Sequence, residues 1–193
     1  MAPKKIKNPT KNDLVEIALE LSASLGWSNI SLSDVAEKAG ISLAELHDHF
    51  DDKSDILVAL GRMIDRSVLE NMGAPDPEGS VRDALFDVMM ERFDALNGYR
   101  DGIIAILKDF RFAPQEALMS CPHLFRSMGW MLEAAGVDTN GVRGCMKIMG
   151  LTAVYLKVLK VWKEDDSPDL GKVMAALDKD LGQAERFANS LGF

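Results

Sequence analysis

Leu32-Ser33-Asp34-Val35-Ala36-Glu37-Lys38-Ala39-Gly40-Ile41-Ser42-Leu43-Ala44-Glu45-Leu46-His47-Asp48-His49-Phe50 is the stretch that decides the fold. Ser31 stands just before it. Ser31 and Asp34 have the spacing of a capping box with Asp in place of Glu, so a helix starts at Leu32. Gly40 follows the last apolar residue of that helix and suits the left-handed conformation that closes one. Ser42 and Glu45 then form a full capping box, which starts a second short helix whose apolar side ends at Phe50. Two short helices joined through Ala39-Gly40-Ile41 read as a helix-turn-helix.

Working outward, Leu14, Ile17, Ala18, Leu21 and Leu25 recur at helical spacing ahead of this pair, with Thr10 or Asn12 as the cap and Gly26 as the stop. After it, Ile56, Leu57, Leu60, Met63, Ile64 and Val68 line one side of a helix expected from Ser54 to Met72. Gly73-Ala74-Pro75-Asp76-Pro77-Glu78-Gly79 breaks the pattern. Five further helices are expected, near 80–96, 99–112, 114–134, 140–164 and 168–191, punctuated by Pro114, Pro122, Gly136 and Pro168. No stretch alternates as a strand does. The chain reads as all-α with about nine helices. It divides into a basic tail over 1–9, a helix-turn-helix domain over 10–57 and a larger helical domain over 58–193.

Composition narrows the function classes. Of 193 residues, 47% are hydrophobic and 27% charged, an ordinary globular balance. No apolar run reaches the roughly 20 residues of a membrane-spanning helix, and the basic N-terminus has no apolar segment behind it to make a secretory signal. Cys121 and Cys145 stand apart without CxxC spacing and read as reduced core residues of a cytoplasmic protein. His47 and His49 are two apart and point to different helix faces, and His123 is isolated, so no metal site is expected. There is no HExxH, phosphate loop or GxSxG. A binding protein is expected, without a cofactor and without catalysis.

Residues 12 to 58 resemble the DNA-binding region of the TetR family of regulators. The resemblance rests on Ile17-Ala18-Leu19-Glu20-Leu21, Gly26-Trp27, the run from Leu32 to Ser42, Leu46-His47-Asp48-His49-Phe50, Lys53 and Ile56-Leu57. It implies a homodimer of all-helical subunits, each laying its third helix in the major groove of double-stranded DNA. It further implies a C-terminal domain that dimerises through its last two helices and holds a small apolar effector, commonly to control repression. On that basis Ser31, Ser33, Ser42, Leu43, Ala44, Glu45, His47 and Asp48 become the DNA-facing residues, and Lys53 the backbone-phosphate contact. The third helix departs from the family at Leu43, His47 and Asp48, where small or basic residues, a Tyr and polar residues are common.

Charge opposes that reading. From Asn12 to Leu57 the basic residues are Lys38 and Lys53. The acids are Asp13, Glu16, Glu20, Asp34, Glu37, Glu45, Asp48, Asp51, Asp52 and Asp55, so two minus ten gives −8, which equals the net charge of the whole chain. Duplex affinity comes largely from phosphate neutralisation. The tail lysines Lys4, Lys5 and Lys7, with Lys11, are the remaining positive elements.

In the larger domain, seven of eleven methionines fall between 85 and 150. Methionine adapts to irregular apolar shapes. Met89, Phe93, Leu107, Phe110, Phe125, Met128, Met131, Met149, Thr152 and Tyr155 are therefore the candidate lining of an apolar ligand site. The competing reading is a plain methionine-rich core. Ile148, Leu151, Val154, Tyr155, Val158 and Trp162 recur on one helix side where the resemblance puts the dimer contact; a role in the chain's own core is the competing reading, and the two are not exclusive. A second resemblance covers Gly150-Leu151-Thr152-Ala153-Val154-Tyr155, the run from Trp162 to Leu170, Leu177-Asp178 and Leu181. These look like the lipid-binding accessory proteins of coenzyme Q biosynthesis, a TetR-type scaffold without DNA binding. Read for structure alone, Ser167-Pro168-Asp169 starts a helix with Pro at its first position, and Trp162 packs beneath it.

Overall fold

The computed structural model describes residues 8–74, 76, 78–110 and 114–190, with the backbone alone at 114–120. Among them the fold is all-helical: α1 Lys11–Leu25, α2 Leu32–Ala39, α3 Leu43–His47, α4 Lys53–Asn71, α5 Val81–Asn97, α6 Arg100–Asp109, α7 Pro114–Ala134, α8 Gly141–Glu164 and α9 Gly171–Ser190. A single 3-10 turn, Trp27–Asn29, follows α1. The expected end of α6 at 112 lies outside the described residues.

The first three helices start as their caps dictate. Thr10, Ser31 and Ser42 are the N-caps, and each exchanges bonds with an acid three residues on, Asp13, Asp34 and Glu45. Gly26 closes α1 at φ 86°, and Gly40 closes α2 at φ 73°, ψ 29°. At Gly40 a side chain would strain the left-handed backbone on which the turn depends.

The described chain forms two compact units, and they do not follow a cut at residue 57. One gathers the residues up to Ile64 together with Leu96–His123; the other gathers Asp65–Ala95 with Leu124 onward. In the first unit α1 buries Leu14, Val15, Ile17, Ala18 and Leu19, α2 buries Val35, Ala36 and Ala39, and α3 buries Leu46. Trp27 and Phe50 complete this core at 2% exposure each. Each of the larger aliphatic and Phe side chains among them contributes about 1.5–3 kcal/mol through burial. Helix α6 runs along α1 so closely that a Cβ at Gly102 would stand 2.7 Å from the Leu19 carbonyl oxygen. Asp109, the last residue of α6, accepts from the Ser28 amide at 2.6 Å, and Tyr99 donates to Glu16 at 3.0 Å.

In the second unit α8 packs on α9, and Val158, Trp162, Val173 and Leu177 on these two helices are fully buried. Trp162 is fully buried, but Pro168 does not open α9, which starts at Gly171. Leu170 is 1% exposed and takes φ 51°, so seating its side chain breaks the helical path from Pro168. The cap is Asp165 instead. Its Oδ2 accepts from the Lys172 and Val173 amides at 2.9 and 3.0 Å, and its Oδ1 from the Ser167 amide at 3.1 Å and the Ser167 hydroxyl at 2.5 Å. These bonds, the Ser167 hydroxyl first, hold the carboxyl well below its usual range, at about 2. Neither cysteine is fully buried: Cys121 is half-buried and Cys145 exposed, on the outward side of α8.

Candidate nucleic-acid interface

Helix α3 is five residues long and buries only Leu46. Leu43, Ala44, His47 and Asp48 all face solvent, Leu43 at 53% exposure. A large apolar side chain left that open beside a packed domain suits contact with thymine methyl groups in a major groove. Of the two acids at this helix, Glu45, itself exposed, bends back along the helix's own N-cap. Its Oε2 accepts from the Ser42 amide at 2.7 Å and the Ser42 hydroxyl at 2.8 Å. Those bonds, the amide first, lower its pKa.

The same job explains much of the acidic count in this unit. Asp13 and Asp34 close the boxes of α1 and α2, and Asp52 Oδ1 accepts from the Ser54 and Asp55 amides at the start of α4. All three are held below their usual pKa, Asp13 mainly by the Thr10 amide, Asp34 by the Ser31 hydroxyl and Asp52 by the Ser54 hydroxyl. Negative side chains belong at helix N-termini, where they meet unpaired amides and the positive end of the helix dipole. Glu20 pairs with Lys38 at 2.9 Å.

The remaining residues singled out as DNA-facing divide by role. Ser31 and Ser42 are engaged as caps, and Ser33 is exposed on the first turn of α2. Lys53 opens α4 with its Nζ donating to the Trp27 carbonyl and standing 4.4 Å from the Trp27 ring centroid. Lys11 stands 4.8 Å from the centre of the Phe50 ring. Lys4, Lys5 and Lys7 lie outside the described residues.

The ten candidate ligand-lining residues divide between the two units. Leu107 and Phe110 belong to the unit that carries the helix-turn-helix. Phe125 and Met149 are 39% and 57% exposed and line no interior. Met89, Phe93, Met128, Met131, Thr152 and Tyr155 are buried in the second unit, where Phe93 stacks on Tyr155 with centroids 5.6 Å apart. The stripe Leu151, Val154, Tyr155, Val158 and Trp162 is this chain's own core, not an outward face. The outward face of α8 instead carries Val142, Met146, Met149 and Leu156, 79%, 43%, 57% and 44% exposed.

Three residues that sequence reasoning passed over sit among the buried six. Arg92 is 3% exposed, and its Nη1 lies 2.5 Å from Asp65 Oδ1. The Ser127 hydroxyl donates to that same oxygen, and the guanidinium lies 5.2 Å from the Tyr155 ring centroid. Burial opposes the guanidinium charge, but Tyr155 and Asp65 outweigh it and the net shift is upward. The signal was present: Leu85, Val88, Met89, Arg92, Phe93 and Leu96 share one helix side, which puts an arginine on an apolar stripe.

Among the described residues no cluster of His, Cys, Asp or Glu is arranged to hold a metal, and no helix is long and apolar enough to cross a membrane. Residues 14–60 match the family model for bacterial regulatory proteins of the tetR family. No curated protein matches the chain. Among solved structures, a TetR transcriptional regulator from Nitrosomonas europaea ATCC 19718 is similar at TM-score 0.72 and 22% identity, over 92% of this chain and 99% of that one. A TetR transcriptional regulator from Rhodococcus sp. RHA1 gives 0.62 and 17%, over 89% and 92%. The TetR family regulator PfmR from Thermus thermophilus gives 0.55 and 19%, over 91% and 97%.

Proposed function

We propose that this chain, whose residues 14–60 form a helix-turn-helix domain of the tetR family, is a dimeric DNA-binding regulator controlled by a small apolar ligand. The observation that carries the reading is the outer face of α3, where Leu43, Ala44, His47 and Asp48 stand open on a domain otherwise well packed. Leu43 and Ala44 at the start of the helix meet base edges, His47 supplies a hydrogen-bonding edge, and Lys53 at the start of α4 approaches a phosphate. Four of the ten acids that made the domain look hostile to DNA are turned onto helix N-termini. Their role there is to cap.

The partner subunit fits the outward face of α8. Val142, Met146, Met149, Ala153 and Leu156 follow one another at steps of four, three, four and three, the spacing of a helix seam that packs on a second helix. Gly150 lies among them with open space where its Cβ would be, which suits close helix approach. Control by a ligand is a population shift: a molecule that prefers one spacing of the two DNA-binding domains changes operator affinity by its differential affinity for the two states. Helix α4, which begins at Lys53 and continues to Asn71, is the covalent route by which such a change travels.

Selection from fragmented genomic DNA of the source organism, with purified protein at two salt concentrations, tests this. Fragments sharing an inverted repeat, recovered less well at high salt, are expected. Recovery of nothing above background by a folded dimer would overturn it. A second reading is then favoured, a lipid-binding accessory protein on the same scaffold, of the kind found in coenzyme Q biosynthesis. The exposed Asp48 on α3 is its motivating observation. Isoprenoid or quinone-like lipid carried through purification is what it requires.

A further inference from the structure

The core of the second unit contains a polar group that its own fold leaves incomplete. Arg92 Nε is buried and has no hydrogen-bond partner. Every other feature of the cluster is settled. The guanidinium charge is met by Asp65, the Asp65 oxygen also accepts from Ser127, and Tyr155 lies against the guanidinium face. An orphaned N–H on a charged group inside an apolar core is costly, and native proteins carry few of them. The elements that carry the cluster are rich in adaptable side chains. Met89 lies one turn before Arg92 on α5, and Met128 and Met131 follow Ser127 within about one turn of α7, all three at 0% exposure. Unbranched thioether side chains rearrange more readily than Leu or Ile and admit a guest at low cost.

We infer that Arg92 Nε is the anchor for the ligand of this unit, and that the ligand is an apolar molecule bearing one neutral hydrogen-bond acceptor of the carbonyl class. The proposal rests on the ligand-controlled reading above and specifies its chemistry. Neutrality follows from charge. Arg92 and Asp65 already balance, so a bound carboxylate would leave one buried negative charge uncompensated, which an interior of this kind does not tolerate. A pure hydrocarbon that displaces the methionine side chains leaves the N–H as it is. A ketone, ester, lactone or quinone displaces them equally well, and its oxygen accepts the bond. The aromatic pair Phe93 and Tyr155 beside it favours a ligand with a flat apolar portion.

Three near-isosteric probes separate the possibilities on the native, full-length protein: butylbenzene, butyrophenone and 4-phenylbutyrate. Binding is followed by isothermal titration and by the rise in thermal midpoint. Butyrophenone is expected to bind about tenfold more tightly than butylbenzene, the size of one hydrogen bond from a charged donor, and 4-phenylbutyrate to bind more weakly than either. In Arg92→Lys, which keeps the charge opposite Asp65 but removes Nε, the preference for the ketone should fall to about twofold or less while butylbenzene binding persists. Should that variant fail to fold, the wild-type series decides alone. Equal binding of ketone and hydrocarbon overturns the anchor and leaves a ligand-controlled regulator standing. Tightest binding by 4-phenylbutyrate overturns the neutral class. Binding of no probe overturns both the anchor and the apolar-ligand reading beneath it, whatever the DNA selection yields.

Discussion

Glu45 and Asp48 stand three residues apart around one short helix and do different jobs. The Glu45 carboxylate is folded onto Ser42, while the Asp48 side chain is exposed on the surface that meets DNA in our reading. Asp48→Asn should therefore raise affinity for nonspecific duplex by about fourfold in low salt, the effect of one unit charge roughly 5 Å from a phosphate in water. Glu45→Gln should instead lower the thermal midpoint and change DNA affinity little. Fluorescence anisotropy on a labelled duplex, alongside thermal melts, distinguishes the two variants. Asp165 offers a residue-scale test in the other unit. Its pKa lies at about 2 in the folded chain, against about 3.9 for an unperturbed aspartate. A depressed carboxyl stabilises fully above about pH 4 and loses that contribution as pH falls through about 2. Asp165→Asn replaces one accepting oxygen with a donor, so the Ser167 or the α9 contacts go unanswered. The variant should unfold at lower urea at neutral pH, with the gap from wild type narrowing below about pH 4. At this scale the sequence is a partial guide. Counting carboxylates records their number but not their direction, and a cap and an exposed acid look alike in a sum. Arg92 is legible as an arginine on the apolar stripe of α5, but its partners Asp65 and Ser127, far off in the chain, are not.

At the scale of elements, most helix starts and ends follow from local chemistry. Ser or Thr with an acid three residues later starts α1, α2 and α3, and a left-handed glycine ends α2. Such signals lie within one turn of chain and need no tertiary knowledge. The start of α9 does not follow from them. It depends on where Leu170 must be buried and on Asp165 reaching seven and eight residues ahead. Likewise the inward side of α8 is legible as a stripe, but not as the side that meets the rest of the chain, because periodicity places residues on a face without naming what the face touches. The α1–α6 crossing gives a test of packing against propensity. In an open helix Gly→Ala stabilises by about 1 kcal/mol. At Gly102 the added methyl meets backbone and Cβ atoms of Leu19 within 3.0 Å, and neither can swing away. Overpacking of this kind costs about 1–3 kcal/mol. Gly102→Ala should therefore be destabilised, with a lower urea midpoint and an unchanged denaturant slope.

For the molecule as a whole, the apolar seam on α8 is the proposed subunit contact. Leu156→Glu or Met149→Glu places a charge at the centre of the proposed dimer contact while disturbing little inside the chain, since both side chains are exposed. Sedimentation should shift from the mass of two chains to that of one, with helical content unchanged. Affinity for an inverted repeat should fall far more than affinity for a single half-site. A dimer that survives both substitutions would mean that subunits meet elsewhere. The division of the chain is the part least visible in the sequence. A glycine- and proline-rich break at 73–79 looks like a boundary, yet the units part at 64/65, 95/96 and 123/124, inside α4, α5 and α7. Pro122 interrupts the hydrogen bonding of α7 beside the last of these points.

That interleaving bears on modularity. The partner that α1 needs, α6, is encoded after some thirty residues that belong to the other unit. The helix-turn-helix is therefore no detachable cassette: a graft ending at residue 57 or 72 would carry α3 but strand the face of α1 around Leu19, and would be expected to arrive insoluble. Chimeras that exchange operator preference between proteins of this architecture should transplant α6 along with the first four helices, or confine the exchange to the exposed residues of α3.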